Sequence, residues 1–166
     1  MLKKENVYDN VIMMLLGPSK RLKLRQKVKA RLCDKKRYGY PPKNIIIMED
    51  VRGDANRVIK KFGNILDKSS PQLFFAMLES NTKVDMGGVI FELGWLCGKY
   101  NKKEISERLR IIIDFDFRYR KTTRYVQSLI QSSRSLAIPI NKMNIELIAD
   151  SIANNVTYSV NVYHKE

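Results

Sequence analysis

The chain has 166 residues, enough for one domain with a sizeable core. Hydrophobic residues make up 44% and charged residues 29%, a mix that excludes a disordered or fibrous chain. Lysine and arginine number 31 against 17 aspartates and glutamates, and the formal net charge of +14 favours polyanionic partners: nucleotides, nucleic acid or acidic surfaces. The longest apolar runs, Val11–Leu16 and Gly87–Leu96, fall short of the roughly 20 residues a membrane-spanning helix needs. Met1 to Asn6 lack the apolar stretch of a secretory signal. Cys33 and Cys97 form no CxxC pair, and the lone histidine is His164. A disulfide scaffold, a cysteine metal centre and a histidine-dependent triad are therefore not expected. The expectation is a single cytoplasmic domain over residues 1–166, with no membrane partner.

In chain order, Val11–Leu16 is a short continuous apolar run stopped by Gly17-Pro18, which reads as a buried parallel strand. From Lys20 to Asp34, Leu24, Val28 and Leu32 recur every four residues among cations, the pattern of an amphipathic helix. Tyr38-Gly39-Tyr40-Pro41-Pro42 breaks it. Asn44–Met48 is a second strand, followed by an acidic loop at Glu49-Asp50. Asn56–Leu66 reads as a helix and Gln72–Leu78 as a third strand. A polar loop from Glu79 to Asp85 leads into Gly87-Gly88 and an apolar helix to about Lys99. Arg110–Asp114 is a fourth strand, Thr122–Ser133 a helix, Leu136–Ile138 a short fifth strand, and Met143–Ala153 a last helix. Val156–Tyr163 alternates weakly, which suggests an edge strand or a subunit contact. Strands separated by helices imply right-handed crossovers and an α/β fold: a doubly wound, flavodoxin- or Rossmann-like parallel sheet of about five strands, with helices on both faces. Ligands of such sheets bind beyond the carboxyl ends of the strands.

That rule directs attention to the loops after the strands. Gly17, Pro18, Ser19, Lys20 and Arg21 combine a glycine, a hydroxyl and two cations just before a helix N-terminus, where free N–H groups attract anions. The spacing matches neither a P-loop nor GxGxxG. Arg118 to Arg124 add a second run of cations and hydroxyls at the same edge. The helix after Gly87 and Gly88 is apolar nearly all round, so it should be buried against the sheet. Glu92 is the one charged group that interrupts it before Lys99. An unpaired carboxylate there costs several kcal/mol or takes up a proton, so Glu92 either has a cationic partner in the core or faces a ligand crevice. Gly87 and Gly88 would let a ligand approach the backbone one turn away. Trp95 is a core, interface or base-stacking residue by the same spacing.

The string GGVIFELGWLCGK resembles the glycine-rich, FELG-type motif of nucleoside 2-deoxyribosyltransferases and related nucleotide N-glycosidases. It is similar also to the motif of TIR-like nucleotide-binding domains, which share a doubly wound fold. MMLLGP at residues 13–18, PQLFFAML, the VD ahead of the glycines and LRIIIDFDFR follow in the first family's order. The resemblance spans roughly residues 11–120 and implies cleavage or transfer at the N-glycosidic bond of a nucleoside or nucleotide. It places the family's nucleophile on Glu92 and its aspartate on Asp85, which lies seven residues before Glu92 where the family usually has six. Asp50 and Asp54 are candidates by position for a further acidic residue. The resemblance implies neither a metal nor a redox cofactor, and it implies a homodimer or higher homo-oligomer.

The basic loop after the first strand departs from the pattern. It favours a phosphorylated substrate over a bare nucleoside, with Ser19, Lys20 and Arg21 as phosphate contacts. Two other readings stand beside this one. The first is a TIR-like domain that binds or cleaves NAD or a signalling nucleotide. The second is a non-catalytic domain that binds nucleic acid through its basic surface.

Overall fold

The computed structural model describes residues 7–50, 58–79, 86–113, 124–137 and 144–163. Five strands form one parallel sheet: β1 (Met13–Leu16), β2 (Ile45–Ile47), β3 (Leu73–Leu78), β4 (Leu109–Ile113) and β5 (Arg134–Ala137). Their order is β2-β1-β3-β4-β5. Met13 stands opposite both Ile45 and Leu73, and Phe74 opposite Leu109. Every residue of β1, β3 and β4 is buried, which is why these strands read as unbroken apolar runs.

The period of two along each strand divides the core. Met13, Leu15, Ile45, Ile47, Phe75 and Met77 face one side, where they pack with residues of α1 (Leu22–Cys33) and α6 (Ile145–Tyr163). Met14, Leu16, Phe74, Ala76, Leu78 and Ile111 face the other, with residues of α2 (Val58–Ser69), α3 (Gly87–Lys99), α4 (Lys102–Arg108) and α5 (Arg124–Ser132). The expected doubly wound architecture is the one observed. Among the described residues no helix is long and apolar enough to cross a membrane.

The structure corrects several local expectations. Val156–Tyr163 is no edge strand; it continues α6 without a break. Ile148, Ala149, Ile152, Ala153 and Val156 are buried at helical spacing, and this stripe packs with Leu24, Val28 and Leu32 of α1. Polar groups reinforce the seam: Arg31 and Arg37 both donate to Glu146, and the Tyr38 hydroxyl donates to Asp150. Arg110, buried on β4, donates to Ser159 Oγ of α6 at 3.3 Å. The short helix α4 was not anticipated, although Asn101 and Glu104 form a reciprocal capping box at its start. Glu49 and Asp50 belong to a 3-10 turn, Met48–Asp50, rather than to an open loop.

Helix α3 is also less buried than its composition suggests. Only Val89, Leu93 and Leu96 are fully covered, while Gly87, Gly88, Phe91, Gly94 and Gly98 lie exposed. Glycines inflate the apolar count of that outer face without supplying side chains to bury. Ile138 of the expected fifth strand and residues 114–123 of the second basic run lie outside the described residues, with Arg124 opening α5.

Candidate active site

In the order β2-β1-β3 the chain leaves β1 toward one face of the sheet and leaves β3 toward the other. The edge above β1 is therefore the topological switch point, where doubly wound folds hold ligands. Five charged side chains lie at this edge: Arg21 from the β1–α1 connection, Arg25 from the first turn of α1, Glu49 from the turn after β2, Glu79 at the end of β3, and Glu92 from the second turn of α3.

Arg25 organises one half of the cluster. Its side chain is fully buried, a costly position that hydrogen bonds offset. Nη1 donates to Glu49 Oε2 at 3.0 Å, and Nη2 donates to Glu49 Oε1 and to the Pro18 carbonyl at 3.2 Å. The turn after β1 is shaped around this group. A Cβ on Gly17 would lie 3.3 Å from Arg25 Cδ and 3.5 Å from Met77 Cβ, so a side chain there would press on the guanidinium stem. Gly17 and Pro18, expected at the substrate, are buried and seat Arg25.

The other half is a latch across the switch point. Arg21 Nε donates to Glu79 Oε2 at 2.8 Å, and Nη2 donates to the second carboxylate oxygen. Glu79 is 1% exposed and Arg21 25%. Arg21 therefore ties the β1 turn to the end of β3, whereas Ser19 and Lys20 beside it are exposed. Of the anticipated phosphate contacts, these two project to solvent.

Glu92 stands in the second turn of α3, on the face of the sheet opposite α1. Its Oε2 is buried and has no hydrogen-bond partner among the described residues. Its pKa is pushed up to about 8, first by burial and then by the anionic Glu49, with Arg25 opposing both. No cation clasps it by a hydrogen bond among the described residues. Arg25 Nε is likewise buried and without a hydrogen-bond partner among the described residues. Two such polar atoms at one edge are unusual, since buried groups are nearly always satisfied. Gly88 is exposed and open: a Cβ there would meet nothing within 4 Å. The backbone at the start of α3 is thus approachable one turn from the carboxyl.

Trp95 belongs to helix packing rather than to this edge. It meets Phe62 of α2 edge-on at 6.4 Å between centroids and Phe91 at 6.2 Å. Gly87 lies beside Gly88 in the first turn of α3. Asp50 ends the 3-10 turn after β2. Asp85 and Asp54 lie outside the described residues. Among the described residues no three His, Cys, Asp or Glu side chains come together as a metal centre requires.

Sequence reasoning missed Arg25, Glu49 and Glu79. Arg25 carried a legible signal, because with Val28 and Leu32 it falls on the i, i+3, i+7 stripe of α1 and so places a cation on the buried side. Glu79 directly follows the apolar run of β3, but nothing in the sequence pairs it with Arg21. Compared with known proteins, the chain matches no protein-family model, no curated protein and no solved structure.

Proposed function

We propose that the protein cleaves or transfers at the N-glycosidic bond of a nucleoside or nucleotide, with Glu92 as the group that attacks the anomeric carbon. The observation that carries this reading is a desolvated carboxyl whose buried Oε2 has no hydrogen-bond partner among the described residues, at the switch point of a doubly wound sheet and one turn from an open glycine. A carboxyl pushed up to about 8 is mostly protonated at pH 7 while the site rests. It becomes a nucleophile as its proton passes to the departing base, and positive charge developing at the anomeric carbon favours that ionised form. Attack forms a glycosyl ester on Glu92 and frees the base. Water or a second base then takes the glycosyl group. A nucleotide is preferred to a bare nucleoside because Ser19 and Lys20 are exposed at the same edge, where a phosphate gains charge-assisted hydrogen bonds.

The test is a panel of nucleosides, ribo- and deoxyribonucleoside monophosphates and NAD, each assayed for free base by chromatography with the Glu92→Gln protein alongside. The parent is expected to release base from at least one phosphorylated member. Glu92→Gln should fold normally and lose the activity by a factor of roughly a thousand or more. Release by the variant at the parent's rate would refute the role of Glu92. Nicotinamide release from NAD alone would move the reading to the TIR-like alternative.

A further inference from the structure

We infer that the ion pair between Arg21 and Glu79 sets the site's preference for a phosphorylated substrate. The pair holds the turn after β1 so that Ser19 and Lys20 meet the phosphate, and Arg21 is itself a positioning residue rather than a phosphate ligand. This rests on the nucleotide reading above, and it gives Glu79 a part that neither the sequence nor the resemblance assigned.

The turn between β1 and α1 is pinned at both ends. Ser19–Arg21 form a 3-10 turn, closed by the Arg21 backbone N–H, which donates to the Pro18 carbonyl at 2.8 Å. At the first end, Arg25 Nη2 donates to that same carbonyl at 3.2 Å. At the other, Arg21 Nε donates to Glu79 Oε2 at 2.8 Å while Nη2 holds the second oxygen. Pro18 and Arg21 occupy the cap positions of the turn and of α1, and neither side chain makes a capping hydrogen bond. Contacts from arginine side chains thus stand where a local cap usually serves. Register brings Glu79 within reach. Leu16 stands opposite Ala76, so β3 runs two residues past the end of β1, and Glu79 follows directly.

The same geometry argues against Arg21 as a ligand. Glu79 is 1% exposed, and drawing the guanidinium off it toward a phosphate would leave a buried carboxylate without that cation, which is costly. A fork engaged through both Nε and Nη2 has also committed one of its bidentate edges. Ser19 and Lys20, between the pinned ends, are exposed. A hydroxyl and an ammonium carried on a fixed turn lose less freedom on closing around an anion, so the pair raises affinity for a phosphate without touching it. A bare nucleoside, seated against Glu92 and the start of α3, makes no call on this turn.

The experiment is a binding cycle in the full-length chain carrying Glu92→Gln, which stops turnover. The nucleoside monophosphates of the panel and their nucleosides are titrated by calorimetry into this background protein and into its Arg21→Met, Glu79→Met and Arg21→Met/Glu79→Met derivatives. Glu79→Met removes an anion and raises the net positive charge. Were Arg21 a phosphate ligand, releasing it would tighten monophosphate binding. Positioning predicts the opposite sign: a loss of roughly tenfold or more, about one charge-assisted hydrogen bond, against less than about threefold for the nucleoside. Arg21→Met should lose as much, and the double variant no more than either single one, because all three open the same latch. Arg21→Met leaves Glu79 buried without its cation and is the variant most prone to unfold. The double variant, an apolar pair of similar size, is expected to keep the fold and carries the test in its place, with thermal melts alongside.

Tighter or unchanged monophosphate binding in Glu79→Met would make Arg21 a ligand or a bystander and overturn the inference. So would equal losses for nucleoside and monophosphate, the mark of a general disturbance of the site. If no monophosphate binds the background protein more tightly than its nucleoside, the preference for a phosphorylated substrate fails and the inference falls with it. That outcome is read before any change at Arg21 or Glu79, whereas failure of the latch is read only from the variants, so the two failures are distinguishable.

Discussion

Glu92 shows most plainly how one side chain divides folding from chemistry. Its carboxyl titrates near 4.5 in the unfolded chain and is pushed up to about 8 in the folded one, first by burial and then by Glu49. Between those values the native state holds a proton that the unfolded state has released. Stability therefore falls as pH rises through about 4.5 to 8 and levels off above. The span corresponds to a contribution on the order of 5 kcal/mol at alkaline pH. Glu92→Gln removes the ionisable group and keeps the shape. Thermal melts across pH 4 to 9 should show the variant close to the parent at the acid end and more stable by several kcal/mol at the alkaline end. Parallel curves would mean that the carboxyl is not strained by its surroundings. Under the proposed function, that loss of stability is the trade-off expected at a catalytic group. Gly17 makes the complementary case. Gly17→Ala puts a methyl 3.3 Å from Arg25 Cδ, and Arg25 is fully buried and held by Glu49 and Pro18. The expected cost is about 1–3 kcal/mol by chemical denaturation. The Glu92 carboxyl should also titrate at a changed pH, because Arg25 is the cation that opposes its protonation.

At the scale of elements, legibility followed burial. The strands β1, β3 and β4 were plain in the sequence because a strand covered on both faces has no polar alternation to confuse it. Helix α6 was cut short because Val156, Tyr158, Val160 and Val162 mimic a period of two, while the positions that touch the core keep a helical spacing. Helix α4 has seven residues, two lysines at its start and one buried apolar side chain, Ile105, so hydrophobic periodicity could not reveal it. Its signal was chemical instead. The Asn101 side chain accepts from the Glu104 backbone N–H at 3.0 Å, and the Glu104 carboxylate accepts from the Asn101 N–H at 2.9 Å. A helix this short has little propensity of its own to draw on and depends on its caps and packing. Asn101→Ala should lower stability by about 1 kcal/mol, a fall in Tm of roughly 2–4 °C for a chain of this size. An unchanged Tm would mean that packing of Ile105 alone holds the element. The site was legible in the same uneven way. Glu92 stood out as a charge in an apolar helix, whereas Arg25, Glu49 and Glu79 become meaningful only once the topology brings three loops to one edge.

For the whole molecule, the site's position matters more than any single contact. Arg21 and Arg25 approach it from the face covered by α1 and α6, Glu92 from the face covered by α2, α3 and α5. A ligand seated there touches elements from both faces, so its binding should register as stability of the entire fold. At a ligand concentration near 100 times Kd the gain is about 2.7 kcal/mol, or roughly 5–10 °C in Tm at this chain length. The net charge of +14 adds a long-range attraction that a phosphate feels and a bare nucleoside does not. In the Glu92→Gln protein, where turnover does not deplete the ligand, a nucleoside monophosphate should raise Tm more than its nucleoside at equal concentration in about 0.01 M salt. That difference should shrink toward 0.15 M, as the screening length falls from roughly 30 to 8 Å. Each melt is referred to the ligand-free protein at the same salt, because screening also relieves the protein's own repulsion. Equal shifts at both salts would show that the exposed Ser19 and Lys20 do not hold a phosphate. A shift produced only by single-stranded DNA or RNA, and falling linearly with log salt, would assign the basic surface to nucleic acid instead.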